Sequence, residues 1–239
     1  MYGIVWSVTV KTYPNMPATT IRVLYEPSSS DMSALDTYWE SIGIYFSESP
    51  KYLDAGAYYV NFFDNDLFQV GLLFPNKTPD EVNSLTQSWF DGLRTLNITP
   101  TISEIVQRPT VRDASTVVYE VNDGGILVGT DLFGARILPK RLWEEKEGLS
   151  TLLNTLRKIV NENGQILDVG INPTNEILGN PNNAVLPAFR SMHSMCMVVW
   201  YILSSLVRCA KRRSLKCLGN GMTLRAGKNS SLGQSPLHA

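Results

Sequence analysis

The 239 residues, 44% hydrophobic and 18% charged, suffice for a sizeable core and have an ordinary globular composition. All 22 acidic residues lie at or before Glu176, whereas 8 of the 21 Lys and Arg follow it, so a near-neutral total hides an acidic body and a basic tail. With no histidine before His193 the body cannot build a Ser-His-Asp site or a His-rich metal site, and Cys196, Cys209 and Cys217 are spaced unlike any zinc pattern.

The opening MYGIVWSVTVKT alternates Ile4, Trp6, Val8 and Val10 with Val5, Ser7 and Thr9, which predicts a strand where a secretory leader would show a charged and then an apolar run. After the turn YPNMP, TTIRVLYE reads as a second strand, expected to pair with the first as a hairpin. Met32, Leu35, Tyr38, Trp39, Ile42 and Phe46 make a helical stripe with Ser30 as its expected N-cap. AGAYYVNFFD and DLFQVGLLF follow as strands around a two-residue turn at Asp64-Asn65.

Thr78-Pro79-Asp80-Glu81 supplies a capping hydroxyl, a first-turn proline and an N3 carboxylate, with Val82, Leu85, Trp89, Leu93 and Leu96 as the apolar face behind them. ITPTISEIVQ is another strand, and the stretch from Arg108 to Gly125 fits helix or strand. GILVGTDLFGARILPKRLWEE is read as a strand, a glycine-punctuated loop and a helix start. Leu149, Leu152, Leu153, Leu156 and Ile159 form an amphipathic helix stopped at Gly164, and QILDVGI is a strand. The paired glycines of NDGGILVG read as a turn. Together these elements predict one α+β domain, an antiparallel β-sheet covered by helices on one face.

Within GAYYVNFFD, Tyr59, Asn61 and Phe63 share one face and Tyr58, Val60 and Phe62 the other; one should meet helices, leaving the other to roof a flat aromatic ligand or join the core. Arg136, between a glycine and an apolar pair, is a candidate anion clamp or a structural bridge to a carboxylate. Asn76, Asn97 and Asn229 begin glycosylation-type tripeptides. In the tail, MHSMCMVVWYILSSLV is too short to cross a bilayer as a helix and reads as a core helix or a poorly folded segment, with the basic RCAKRR behind it.

Several stretches, taken in order, resemble one family. YGIVWSVTVKTYP resembles the last strand of the FAD domain in FAD-linked oxidoreductases of the PCMH type, the berberine-bridge-enzyme-like fungal proteins among them. FGARILPKR resembles their Gly-Ser-Arg-Leu-Ile/Leu-Pro-Arg stretch, and NPTNEILGNPNNAVLPAFR their late Asn-Pro and Leu-Pro-Ala-Trp/Phe-Arg stretch. The resemblance implies FAD as cofactor, with Gly3, Ile4 and Val5 as backbone contacts beside it, Tyr59 and Asn61 in a substrate roof, and Arg136 at the substrate.

It further implies hydride transfer from a small alcohol- or amine-type substrate to flavin, while the residues themselves predict no metal, no nucleic acid and no membrane as partner. Residues 1–13 then end the FAD domain, 14–190 form the substrate domain, and 191–239 are an atypical, poorly ordered basic tail read as a shifted frame, an unspliced intron or a pseudogene-like gene. The chain is expected to be incomplete, with the FAD domain of the parent missing as a partner and flavin attachment residues absent. Trp6 stands where the family usually has Thr. The alternative is a non-catalytic small-ligand-binding or interaction module derived from that family.

Overall fold

The computed structural model describes residues 7, 9, 14–119, 131–173 and 186–201. They fall in the first of two compact units, Met1–Ile202; the second, Leu203–Ala239, lies outside the described residues, as does the opening strand except for Ser7 and Thr9, which have no regular structure. In chain order the elements are β1 (Ala18–Tyr25), α1 (Met32–Asp54), β2 (Tyr58–Phe63), β3 (Phe68–Pro75), α2 (Pro79–Thr95), β4 (Ile102–Arg108) and α3 (Val111–Tyr119). There follow β5 (Asp131–Pro139), α4 (Arg141–Glu144), α5 (Gly148–Asn161), β6 (Gln165–Gly170), α6 (Pro187–Arg190) and β7 (Met192–Tyr201).

The strands form one seven-stranded sheet in the order β4-β1-β3-β2-β6-β7-β5. Every pairing is antiparallel. Both edges of β1 are occupied, by β3 and β4, so the expected hairpin between the opening residues and β1 has no edge on which to form. The β2–β3 connection takes four residues rather than two: Asp64 N–H donates to Leu67 O at 3.1 Å, while Asp64 Oδ1 accepts from the amides of Asp66 and Leu67 at 2.8 and 3.1 Å. The aspartate thus builds a turn on its own backbone neighbours, which Asp favours.

Helices α1, α2 and α5 pack on one face of the sheet. Trp39, Ile42, Tyr45 and Phe46 of α1, Val82, Trp89 and Leu93 of α2, and Leu152, Leu156 and Val160 of α5 share a core with Ile21, Val23, Tyr25, Tyr59, Phe63, Phe68, Val70, Leu72 and Phe74. The Tyr45 ring lies within 5.0–6.1 Å of the rings of Phe46, Tyr52, Tyr59, Phe68 and Trp89, an edge-on aromatic cluster in which each pair adds about 0.5–1.5 kcal/mol beyond its buried area. The second face is covered too: Ala114 and Val118 of α3 pack on Ala18, Val60, Leu73 and Leu167. The open segment after Arg108 is therefore a helix over Val111–Tyr119, and it corrects the expectation that helices cover one face only.

Local signals decide the element ends. The α2 capping box forms as read, Thr78 Oγ1 accepting from Glu81 N–H at 3.3 Å and Glu81 Oε2 accepting from Thr78 N–H at 2.8 Å. Helix α1 is capped by Asp31, not Ser30, because the longer acid accepts from Ala34 N–H at 2.9 Å. At the end of α5, Asn163 (φ 66°) takes the left-handed position, leaving Gly164 N–H to bond Ile159 O at 3.0 Å. The glycine-punctuated loop expected in GTDLFGARILPK is instead strand β5, running straight through Gly134.

The largest correction concerns the tail. Residues 192–201, expected to be helical or poorly folded, form a ten-residue strand hydrogen-bonded on both sides, to β6 and to β5. The ordered sheet therefore continues past the expected boundary at 190. Two ladders satisfy the backbone of this strand, and its Met192, Cys196 and Val199 are buried.

Candidate functional site

Two chemically distinct surfaces arise from the strand alternation, one on each face of the sheet. On the helix-covered face the register aligns Asn61, Asp168, Cys196 and Arg136 across β2, β6, β7 and β5, with Tyr59, Gly170 and Ser194 in the next row. Tyr59 lies so closely over Gly170 that a Cβ at position 170 would sit 2.1 Å from its ring carbons. Glycine is thus required here by the cross-strand approach of an aromatic ring.

Asp168 is 1% exposed, and burial foremost pushes its carboxyl up from 3.8 to about 6, against the opposing dipoles of Ser194, Tyr59 and Asn61. These groups surround the acid without reaching hydrogen-bond geometry: both Asp168 oxygens, Tyr59 Oη, Asn61 Nδ2 and Ser194 Oγ are sealed from solvent and unpartnered. Tyr45 Oη donates to Asn61 Oδ1 at 3.0 Å, which fixes the carboxamide. Burial raises the phenols of Tyr45 and Tyr59 well above their ordinary value and pushes up the Cys196 thiol, the Asp168 charge adding to each.

Beside this cluster His193 occupies the bulge where β7 shifts register against Leu138 and Pro139. Its Nε2 is 2.8 Å from Ser49 Oγ, and its ring stacks on Trp143 with centroids 3.6 Å apart. Trp143 Nε1–H in turn donates to Phe46 O at 2.7 Å. Burial, aided by the Lys140 charge, lowers the imidazole to about 3, so it is neutral at neutral pH. A sealed, neutral histidine packed among rings pins β7 to α1 and α4, and the enclosed cluster has no access for a reacting molecule.

The opposite face carries an apolar stripe. Val60, Val169, Met195 and Ile137 align across β2, β6, β7 and β5, and Phe62, Leu167, Met197 and Ala135 align beside them. Phe62 and Leu167 are buried, Val169, Met195, Met197 and Ile137 half-buried, and Ala135 exposed. Val60 and Leu167 of this stripe belong to the cluster that α3 covers, and Val169 and Met197 pack against it.

The sequence-predicted residues distribute unevenly over these surfaces. Tyr59 and Asn61 point into the helix-side core, fully buried, so they cannot face a ligand on the opposite side; their partners in alternation, Tyr58, Val60 and Phe62, belong to the second face. Arg136 is exposed on edge strand β5, three strands from Asn61 in the same row, roughly 14 Å away at normal strand spacing. Gly3, Ile4 and Val5 lie outside the described residues. Asp168 and His193 are not among the residues that the sequence motifs single out, although each stands as a charged-type side chain inside an otherwise apolar strand, the pattern of a buried ionisable group.

No known family profile matches the chain. It is 29% identical over 192 residues to the FAD-linked oxidoreductase patO of Aspergillus clavatus, covering 80% of this chain and 32% of that protein. With the bifunctional decalin synthase calF of Penicillium decumbens it shares 26% identity over 212 residues, covering 84% of this chain and 34% of calF. The matches point to the FAD-linked oxidoreductases. The chain spans about a third of the length of these two relatives.

Solved flavoenzymes share the fold. The VAO-type flavoprotein MtVAO615 of Myceliophthora thermophila superposes with a TM-score of 0.65 at 17% identity, over 84% of this chain and 36% of that one. Aclacinomycin oxidoreductase does so at 0.51 and 9%, over 86% of this chain and 41% of that one. The antiparallel sheet with its helices is thus a fold that solved VAO-type flavoproteins contain. Among the described residues, no helix is long and apolar enough to cross a membrane.

Proposed function

We propose that this chain is the substrate-covering part of an FAD-dependent oxidoreductase, with the α3-side face of its sheet roofing the flavin ring. The observation that carries this reading is the 29% identity to an FAD-linked oxidoreductase across 80% of the chain. The second face fits the role. Val169, Met195, Met197 and Ile137 form a half-buried apolar stripe across three strands, and methionine side chains adapt to an aromatic plane without demanding hydrogen bonds. A bound flavin supplies the hydride acceptor, and the protein contributes orientation and exclusion of water.

In this reading residues 1–13 close the flavin domain, with Gly3, Ile4 and Val5 beside the cofactor, and 14–201 form the cover. Tyr59, Asn61 and Asp168 stiffen the roof from behind, and Trp143 and His193 lock β7, which carries Met195 and Met197. The substrate is a small organic alcohol or amine held between the ring and the stripe. No glycine-rich phosphate cradle occurs in the sequence, so the pyrophosphate belongs to the part that the longer relatives add.

The test is a chimera joining residues 14–201 to the flavin-binding part of the Aspergillus clavatus relative. It should purify yellow, with absorbance at roughly 450 nm, the ordinary flavin band, bleached anaerobically by one or more members of an alcohol and amine panel. Met195→Asp with Met197→Asp should keep the colour and lose the bleaching. Bleaching untouched by both substitutions would overturn the roof assignment, as would tight stoichiometric FAD on the present chain alone.

A further inference from the structure

A second feature of the α3-side face borders the apolar stripe at Val60 and Phe62. Arg22 of β1 stands directly opposite Gly71 of β3 on one side and Glu104 of β4 on the other. It is half-buried, its Nε is sealed from solvent without a partner, and it forms no ion pair or hydrogen bond among the described residues. Glu104 is exposed and does not close a salt bridge with it. Diagonal to Arg22 on the same face, at the ~7–8 Å of such neighbours, is Gln69, 1% exposed, its Nε2 also sealed and unpartnered.

Two neighbouring N–H groups, one of them the Nε–H of a cation, are thus sealed from solvent with no acceptor among the described residues, around a strand position that has no side chain. A buried donor left unmade is unfavourable, and a guanidinium more so. The missing complement is an anionic acceptor. We infer that Arg22 and Gln69, flanking Gly71, form a binding notch for the carboxylate of an apolar organic acid.

Chemistry narrows the class. The planar fork of Arg22 matches a planar carboxylate, with the Gln69 amide as a third donor. The walls are apolar: Leu24 is 6%, Val60 3% and Phe62 7% exposed, so the body of the ligand is hydrocarbon or aromatic. The next cation on this face, Arg108, lies four residues along β4 from Glu104, roughly 13 Å away at the rise of a strand. One cation favours a monoanion over phosphate. If the flavin reading holds, this notch selects an acid-bearing substrate; the notch itself needs no flavin.

The probe is sodium benzoate, titrated into the full chain by calorimetry and followed by thermal shift, with neutral benzamide and inorganic phosphate as controls. Benzoate should raise the melting temperature where benzamide does not. Arg22→Met should abolish the shift, Gln69→Leu should weaken binding roughly tenfold, as expected for one hydrogen bond to a charged acceptor, and Glu104→Gln should preserve or strengthen it. Without ligand, Arg22→Met and Gln69→Leu should melt no lower than wild type, since each removes an unpartnered donor.

A benzoate shift that persists in Arg22→Met overturns the notch, as does its absence from both wild type and Glu104→Gln. Phosphate binding tighter than benzoate overturns the carboxylate class, and an Arg22→Met chain that melts below wild type shows that Arg22 is already partnered. Because these readings require no cofactor, the notch can fail while the chimera bleaches, and the chimera can fail while benzoate binds.

Discussion

Replacing Asp168 with asparagine tests the buried cluster through its pH dependence. In the unfolded chain this carboxyl ionises near 3.8, and in the fold near 6. A raised folded value means that the stabilisation is fully present below pH 3.8 and lost as pH climbs through about 6. At 1.36 kcal/mol per unit the loss is about 3 kcal/mol.

His193 acts in the opposite sense: lowered from 6.5 to about 3, it contributes stability above 6.5 that is lost as pH falls. Between pH 4 and 7 that change is again about 3 kcal/mol, so the two nearly cancel in the wild type. Asp168→Asn keeps the shape of the neutral acid and removes only its titration. Urea unfolding, followed by the fluorescence of Trp39, Trp89 and Trp143, should show the variant gaining about 3 kcal/mol relative to wild type between pH 4 and pH 7. A difference between the two proteins that stays constant over that range would refute the reasoning.

Two other substitutions test particular contacts. Gly170→Ala drives a methyl into the Tyr59 ring and should destabilise by about 1–3 kcal/mol in urea, with partial recovery when Tyr59 is shortened to leucine. Thr78→Ala removes the hydroxyl that caps α2 and should cost about 1 kcal/mol by the same measurement, whereas Ser30→Ala, outside the cap that Asp31 makes, should be near neutral.

What was legible in the sequence was local. The α2 box and the stripe of α5 carry their own instructions, because capping partners and helical neighbours lie within a few residues. Alternation in β2 likewise separates Tyr59, Asn61 and Phe63 from Tyr58, Val60 and Phe62, but both sets are apolar enough to be buried, and only the packing of α1 decides which turns inward. The same ambiguity hid β7. Met192–Tyr201 has no clear period, and it becomes a strand by fitting between β6 and β5, partners distant along the chain. Asp168 and the imidazole of His193 are tolerated inside because neighbours on β2, β7 and α1 surround them, which no spacing within QILDVG or MHSMC reveals.

The position of β7 also orders events during synthesis. Among the described residues β5 touches the sheet through β7 alone, although the ribosome makes it some sixty residues earlier, roughly a tenth of a minute at ~5–20 residues per second. Until Met192–Tyr201 emerges, β5 has no hydrogen-bonding neighbour in the sheet and β6 keeps a bare edge. A nascent chain halted before residue 192 is therefore expected to expose the facing edges of β6 and β5 to passing chaperones, and one released after residue 201 to cover both.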